Sequence, residues 1–238
     1  MLYLIGLGLN EKGISLDGIS ALKKCKKVYL ENYTVDFPYS LTELEKVVKK
    51  KIISLNRDEV ESDRIVCEAK KENVALLIYG SPLTATTHIT IIEESKKQRV
   101  KCQIIYSASI FDAIAETGLQ IYKFGKITSI PKWQKNFTPN SFIEIVKENN
   151  KINAHSLMLI DIGLDLKDAL EELEKSAKDF DLKLEKILVC SRLGTEDKKI
   201  IYDEIKNLKN KVVKKPYCLI IPGKLHIVEE EVLKGFKH

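Results

Sequence analysis

The chain has 238 residues, 31% of them Asp, Glu, Lys or Arg, 44% apolar, and a formal net charge of +5. That balance excludes a disordered chain and a membrane-spanning helix, because the apolar runs are abundant but all far shorter than a bilayer is thick. Its positive charge comes from scattered lysines with little arginine and no aromatic-basic interleaving, the pattern of a solvated face and not of a nucleic-acid surface.

The N-terminus, Met1-Leu2-Tyr3-Leu4-Ile5-Gly6, lacks a basic leader and reads as a first strand over Leu2–Ile5, ending in Gly6-Leu7-Gly8-Leu9. Ser15 caps a helix that starts at Leu16, with Ile19 and Leu22 on the same face. A strand over Lys27–Leu30 ends at Glu31-Asn32-Tyr33-Thr34. Ser40-Leu41-Thr42-Glu43 is a capping box that opens a helix to about Lys50. A short strand to Leu55, a helix within Glu59–Glu72 and a continuously apolar strand, Val74–Ile78, follow. That strand delivers the organising stretch of the chain, Tyr79-Gly80-Ser81-Pro82-Leu83-Thr84-Ala85-Thr86-Thr87-His88, which leads into a helix over Ile89–Lys97. Glycine permits close backbone approach, proline stiffens the loop, and the threonines surround a helix start. A strand over Lys101–Tyr106 ends in Ser107-Ala108-Ser109-Ile110, and a helix runs from Ile110 to Glu116.

Thr117–Gly125 interrupts this rhythm with two glycines. A domain division is therefore expected there, giving an N-terminal α/β domain over 1–122 with the GLGL and GSPLTATTH loops, and a C-terminal α/β domain over 123–238. The second part holds a strand over Ile127–Ile130 and a capping box at Ser141-Phe142-Ile143-Glu144. A strand over Ser156–Ile162 precedes a helical stripe of Leu166, Ala169, Leu170, Leu173, Ala177 and Phe180. The remaining elements are a strand over Ile187–Ser191, a helix marked by Ile201, Ile205 and Leu208, a strand over Tyr217–Ile221, and a closing helix over Val228–Phe236. Strands alternate with helices and are continuously apolar. The fold class is therefore α/β: two α/β domains with mainly parallel sheets.

Five strand-like runs end in glycine, at Gly6, Gly80, Gly163, Gly194 and Gly223. Ligands of open α/β sheets lie outside such strand ends, and glycine there lets a ligand lie against backbone, so a ligand cleft served by both domains is expected. Gly6-Leu7-Gly8 with Glu31 mimics part of a dinucleotide fingerprint, which keeps a nicotinamide-dependent oxidoreductase as an alternative, but the third glycine is missing. Asp161 is an acid in an apolar strand, read either as a site residue or as a structural carboxylate. The histidines are His88, His155, His226 and His238; His226 sits in a loop after a strand and is a better ligand candidate than the chain-end His238. No histidine pair has metal-ligand spacing, and no nucleophile motif is present. The five cysteines have no metal-knuckle or redox spacing, and Cys102, Cys190 and Cys218 read as buried core residues of a reducing, cytoplasmic setting. So thin a catalytic inventory suits chemistry that mostly needs positioning.

Several of these motifs are shared with a known group. Gly6-Leu7-Gly8-Leu9, Glu31-Asn32-Tyr33-Thr34, Pro82–His88, Ser109-Ile110, Thr117–Lys126 and Ile221–Glu229 resemble the diphthine synthase branch of the tetrapyrrole-methylase-like class of S-adenosylmethionine-dependent methyltransferases, over nearly the whole length. The resemblance implies two α/β domains with S-adenosyl-L-methionine in the cleft between them, a homodimer, no metal, and repeated methylation of the amino group on a modified histidine of elongation factor 2. It places donor contacts on Leu9, Ser81, Thr84, Ser109, Ile110, Ile160, Leu193 and His226, and assigns no catalytic side chain. Two departures stand out: Ser81 replaces the aspartate of the family's Gly-Asp-Pro loop, and Leu193 is bulkier than the usual small residue before Gly194. A methylase of the same class acting on a small tetrapyrrole is the other alternative, and the Tyr122–Lys126 and Lys224–His226 blocks argue against it.

Overall fold

The computed structural model describes residues 1–236, so His238 lies outside the described residues. The chain forms two compact units that meet at Asp112 and Ala113, earlier than the division after Tyr122 drawn from the glycines. The Thr117–Gly125 stretch belongs to the second unit, where it follows one short 3-10 turn, Ile114–Thr117, and contains another, Ile121–Lys123.

The first unit holds β1 (Leu2–Gly6), α1 (Leu16–Lys24), β2 (Lys27–Glu31), α2 (Leu41–Val48), β3 (Ile53–Leu55), α3 (Arg57–Glu61), α4 (Arg64–Ala69), β4 (Val74–Ile78), α5 (Ile89–Lys97), β5 (Cys102–Ile105) and α6 (Ile110–Ala113). Its sheet runs in the order β3-β2-β4-β1-β5 and every pair is parallel. Helices cover both faces. Ala21, Leu22, Leu44 and Val48 pack with Ile5, Leu30 and Leu77 on one side, and Val60, Ile65, Val66 and Ile91 with Leu4, Leu76 and Ile78 on the other. This double burial is why β1 and β4 are apolar at every position. The Glu59–Glu72 region is two helices rather than one, because Ser62 turns to extended backbone between them.

The second unit holds β6 (Thr128–Ile130), α7 (Phe142–Lys151), β7 (Ser156–Ile160), α8 (Leu166–Asp179), β8 (Lys186–Ser191), β9 (Lys199–Glu204), α9 (Ile205–Leu208), β10 (Tyr217–Ile221) and α10 (Ile227–Lys234). The α8 stripe is buried as its spacing requires, against Met158, Val189 and Leu219. The sheet, in the order β6-β7-β10-β8-β9, is mixed: only β6 and β7 are parallel, and the other three pairs are antiparallel. The expectation of mainly parallel sheets therefore holds for the first unit alone. The missed element is β9. Ile201, Ile205 and Leu208 fit a helical stripe, yet Ile201 lies on a strand in register with Val189, and only Ile205 and Leu208 are helical. Strand partners so close in sequence need no crossover helix, so they pair antiparallel. Cys190 and Cys218 are buried and in register across β8 and β10, whereas Cys102, on the edge strand β5, is half-buried and not a core residue.

Among the described residues, no helix is long and apolar enough to cross a membrane. Among the same described residues, no group of three or more His, Cys, Asp or Glu side chains could hold a metal ion.

Candidate functional site

Because every strand of the first sheet points the same way, all its C-terminal tips share one edge, and β4, β1 and β5 are neighbours there. Their following loops are tied together by backbone. Gly8 N donates to Gly80 O at 3.0 Å and Gly80 N to Gly8 O at 2.9 Å. The Tyr79 hydroxyl donates to Leu9 O at 3.1 Å, and Ser107 Oγ to Gly13 O at 2.8 Å. A Cβ on Gly6 would lie 2.7 Å from Gly80 O and 2.8 Å from Pro82 Cδ, so only glycine lets the loops close this far. Gly80 itself has φ +71°, a left-handed conformation that suits glycine.

Five of the expected donor contacts, Leu9, Ser81, Thr84, Ser109 and Ile110, fall on these three stitched loops. Leu9, Ser81 and Ser109 are buried and Thr84 and Ile110 half-buried. Ser109 is pinned through its amide (2.7 Å) and hydroxyl (3.0 Å) to Asp112. The loop after Gly80 also holds Leu83 and Ala85 at φ +68° and +54°. Side chains are strained in that region, and such strain persists where the surroundings enforce a particular loop shape. His88 ends the loop buried, with neither ring nitrogen hydrogen-bonded, and burial drives its pKa down to about 4, so the ring is neutral.

The dinucleotide alternative loses its support here. Glu31 is fully buried, accepts a hydrogen bond from Tyr33 N at 3.2 Å, and has its pKa raised by burial, so it offers no exposed acid to a ribose. Gly8 is spent on the Gly80 backbone pair, and α1 begins only at Leu16, too far on to present its N-terminus to a phosphate beside Gly8.

The other three expected contacts lie in the second unit, and its topology divides them. Ile160 ends β7 and Leu193 follows β8, two strands that run the same way on either side of β10. His226 follows β10, which runs opposite, so it sits at the other end of that sheet. For the same reason Gly163 and Gly194 share one end of the sheet and Gly223 the other. Asp161 is exposed and accepts from Lys132 N (3.1 Å) and Ile162 N (2.9 Å), which resolves it as a structural carboxylate.

At the His226 end lies a buried polar cluster that sequence reasoning missed. His226 is the N-cap of α10, accepting from Val228 N at 3.4 Å, and Glu229 completes the capping box through His226 N at 2.7 Å. Histidine is not among the usual capping residues, so the box was invisible as a motif. Glu229 also accepts from Gln120 N at 3.0 Å, from His155 Nε2 at 3.1 Å and from the Lys123 ammonium. Burial by itself would raise the Glu229 pKa, but these donors hold it at about 2. Burial keeps His155 below the ordinary histidine value, although Glu229 opposes that shift. Both imidazole nitrogens are used: Nδ1 accepts from Gly223 N at 2.9 Å, so Nε2 carries the proton that faces Glu229.

The chain is similar to known proteins over almost its whole length. The family model for tetrapyrrole (corrin/porphyrin) methylases matches residues 1–209. A diphthine synthase of Methanocaldococcus jannaschii is 38% identical over 251 residues, covering 98% of both chains. An Arabidopsis thaliana relative named "Probable diphthine methyl ester synthase" is 36% identical, covering 100% of this chain and 99% of that one. A crystal structure of diphthine synthase superposes with a TM-score of 0.90 at 32% identity, covering 99% of this chain and 95% of that one.

Proposed function

The chain belongs to the tetrapyrrole (corrin/porphyrin) methylase family and groups with its diphthine synthases, and on that footing we propose that it methylates the amino group of the modified histidine on elongation factor 2, in diphthamide biosynthesis, with S-adenosyl-L-methionine as donor. Donor contacts are assigned to Leu9, Ser81, Thr84, Ser109 and Ile110 in the first unit and to Ile160, Leu193 and His226 in the second. Since the last three fall at two ends of one sheet, they meet different parts of the donor, an elongated molecule with an adenosyl and a methionyl end.

The observation that supports this reading is the placement of the five assigned residues on the joined tips of β4, β1 and β5. The edge suits such a donor. It offers buried hydroxyls at Ser81 and Ser109 and no charged side chain among the five. The donor supplies an activated methyl on a sulfonium. The chain's own part is positioning: fixing the loops by backbone pairs, excluding water with Leu9 and Ile110, and holding polar groups at a set distance. Orientation of this kind can lower a displacement barrier by roughly 7–11 kcal/mol in favourable systems. The assembly we assign is a homodimer.

Purified protein, the labelled donor and elongation factor 2 carrying the unmethylated precursor form the test. Label should enter the factor and resist alkali, as an amine-bound methyl does. Alkali-labile label would move the acceptor to a carboxylate, the product in the name of the Arabidopsis relative. No label, with donor binding confirmed, would sink the assignment. Native mass measurement of the same sample reads dimerisation.

A further inference from the structure

The cluster around Glu229 is more than a helix cap. The capping box at Ser40 and Glu43 does the same local task in an exposed setting. Glu229 is instead fully buried, and a buried carboxylate is costly unless it is paired and saturated with donors. It has that saturation. One oxygen accepts from Gln120 N and His155 Nε2, and the other from His226 N and Lys123 Nζ.

The same three side chains reach one loop. His155 Nδ1 holds Gly223 N at 2.9 Å. Lys123 Nζ holds Lys224 O at 2.8 Å. Glu229 holds His226 N at 2.7 Å. Each member of the cluster thus grips a different main-chain group of Gly223–His226 while it also bonds to Glu229 or is Glu229. The loop also packs closely on the turn before β7, where a Cβ on Gly223 would lie 2.5 Å from Asn153 O. The cluster also joins the two long blocks, Thr117–Lys126 and Ile221–Glu229, whose distinctiveness the donor contacts alone leave unexplained.

We propose that Lys123, Glu229 and His155 are positioning residues for the donor, clamping the Gly223–His226 main chain so that His226 meets the donor in one preset geometry. This rests on the reading above that His226 is a donor contact. Site residues fixed by a supporting shell bind without first having to be ordered. Glu229→Gln keeps the shape but puts an amide donor where the carboxylate accepts. Lys123→Met removes the cation and keeps the stem.

The test measures donor affinity calorimetrically, donor and acceptor KM, kcat at saturating donor, and melting temperature without donor, for the two single variants and the double. Loss of a charge-assisted hydrogen bond predicts about tenfold weaker donor binding in each single variant. The double variant should be no weaker than the worse single one, because all three groups act as a unit. Saturating donor should restore kcat, and acceptor KM should stay unchanged. A purely structural role would lower the melting temperature and leave the donor affinity of the folded fraction intact; that result, or a kcat loss that saturating donor does not cure, overturns the proposal. If Glu229→Gln does not fold, Lys123→Met decides alone. Should the unsubstituted protein bind donor yet never methylate elongation factor 2, the function assigned above fails while the affinity comparison still decides the clamp. If the unsubstituted protein binds no donor, both fall.

Discussion

Among single residues, His88 is a titratable group buried without compensation. Its ring is 1% exposed and neither nitrogen has a partner. Its pKa falls from 6.5 to about 4 through burial alone. A base whose pKa is lowered by folding stays neutral while the unfolded chain takes up a proton, so stability is lost as pH falls from about 6.5 to about 4, and no further below that. The loss across this window is roughly 3 kcal/mol at most. The stability gained by His88→Leu in urea denaturation should therefore be constant near pH 8 and grow towards pH 4; parallel pH profiles would show that the ring is solvated after all. Nothing in the sequence revealed this. A histidine at a helix start reads as a polar cap, yet His88 makes no capping bond and turns inward.

At the scale of elements, the two serine capping motifs look alike on paper and behave differently in the fold. Ser40 has extended backbone and its hydroxyl accepts from Glu43 N, so the box forms. Ser141, expected to do the same for α7, already has helical backbone (φ −59°, ψ −21°) and makes no cap bond. A residue inside the helical turn cannot swing its oxygen back to the third amide. Ser40→Ala should thus cost about 1 kcal/mol of stability and Ser141→Ala close to nothing, as read from denaturant midpoints. Equal costs would mean that the Ser141 hydroxyl caps in solution. β9 shows the same ambiguity with a larger consequence. The spacing of Ile201, Ile205 and Leu208 satisfies a helix, but pairing with β8 claims the first of them for a strand. Such a short stripe cannot distinguish the two periods until a partner strand is known.

For the whole molecule, the relevant fact is two units with separate sheets and separate cores. Leu219→Ala, at a fully buried position in the centre of β10, should cost about 2–5 kcal/mol. The accompanying loss of amide protection from hydrogen exchange should stay within β6–β10 and spare β1–β5; protection lost equally in both sheets would show one cooperative unit. The sequence by itself determined the α/β class, the parallel first sheet, most strand and helix positions and the family, because runs buried on both faces and glycine-ended strands are written in local composition. It also marked the loops that meet at one edge of the first sheet, since parallel strands bring all their tips to one edge whatever their order. Only the tertiary structure decided strand direction in the second unit, and with it the separation of His226 from Ile160 and Leu193. Likewise only the fold could assemble Lys123, His155 and Glu229, residues far apart in the chain whose meeting depends on pairing between distant segments.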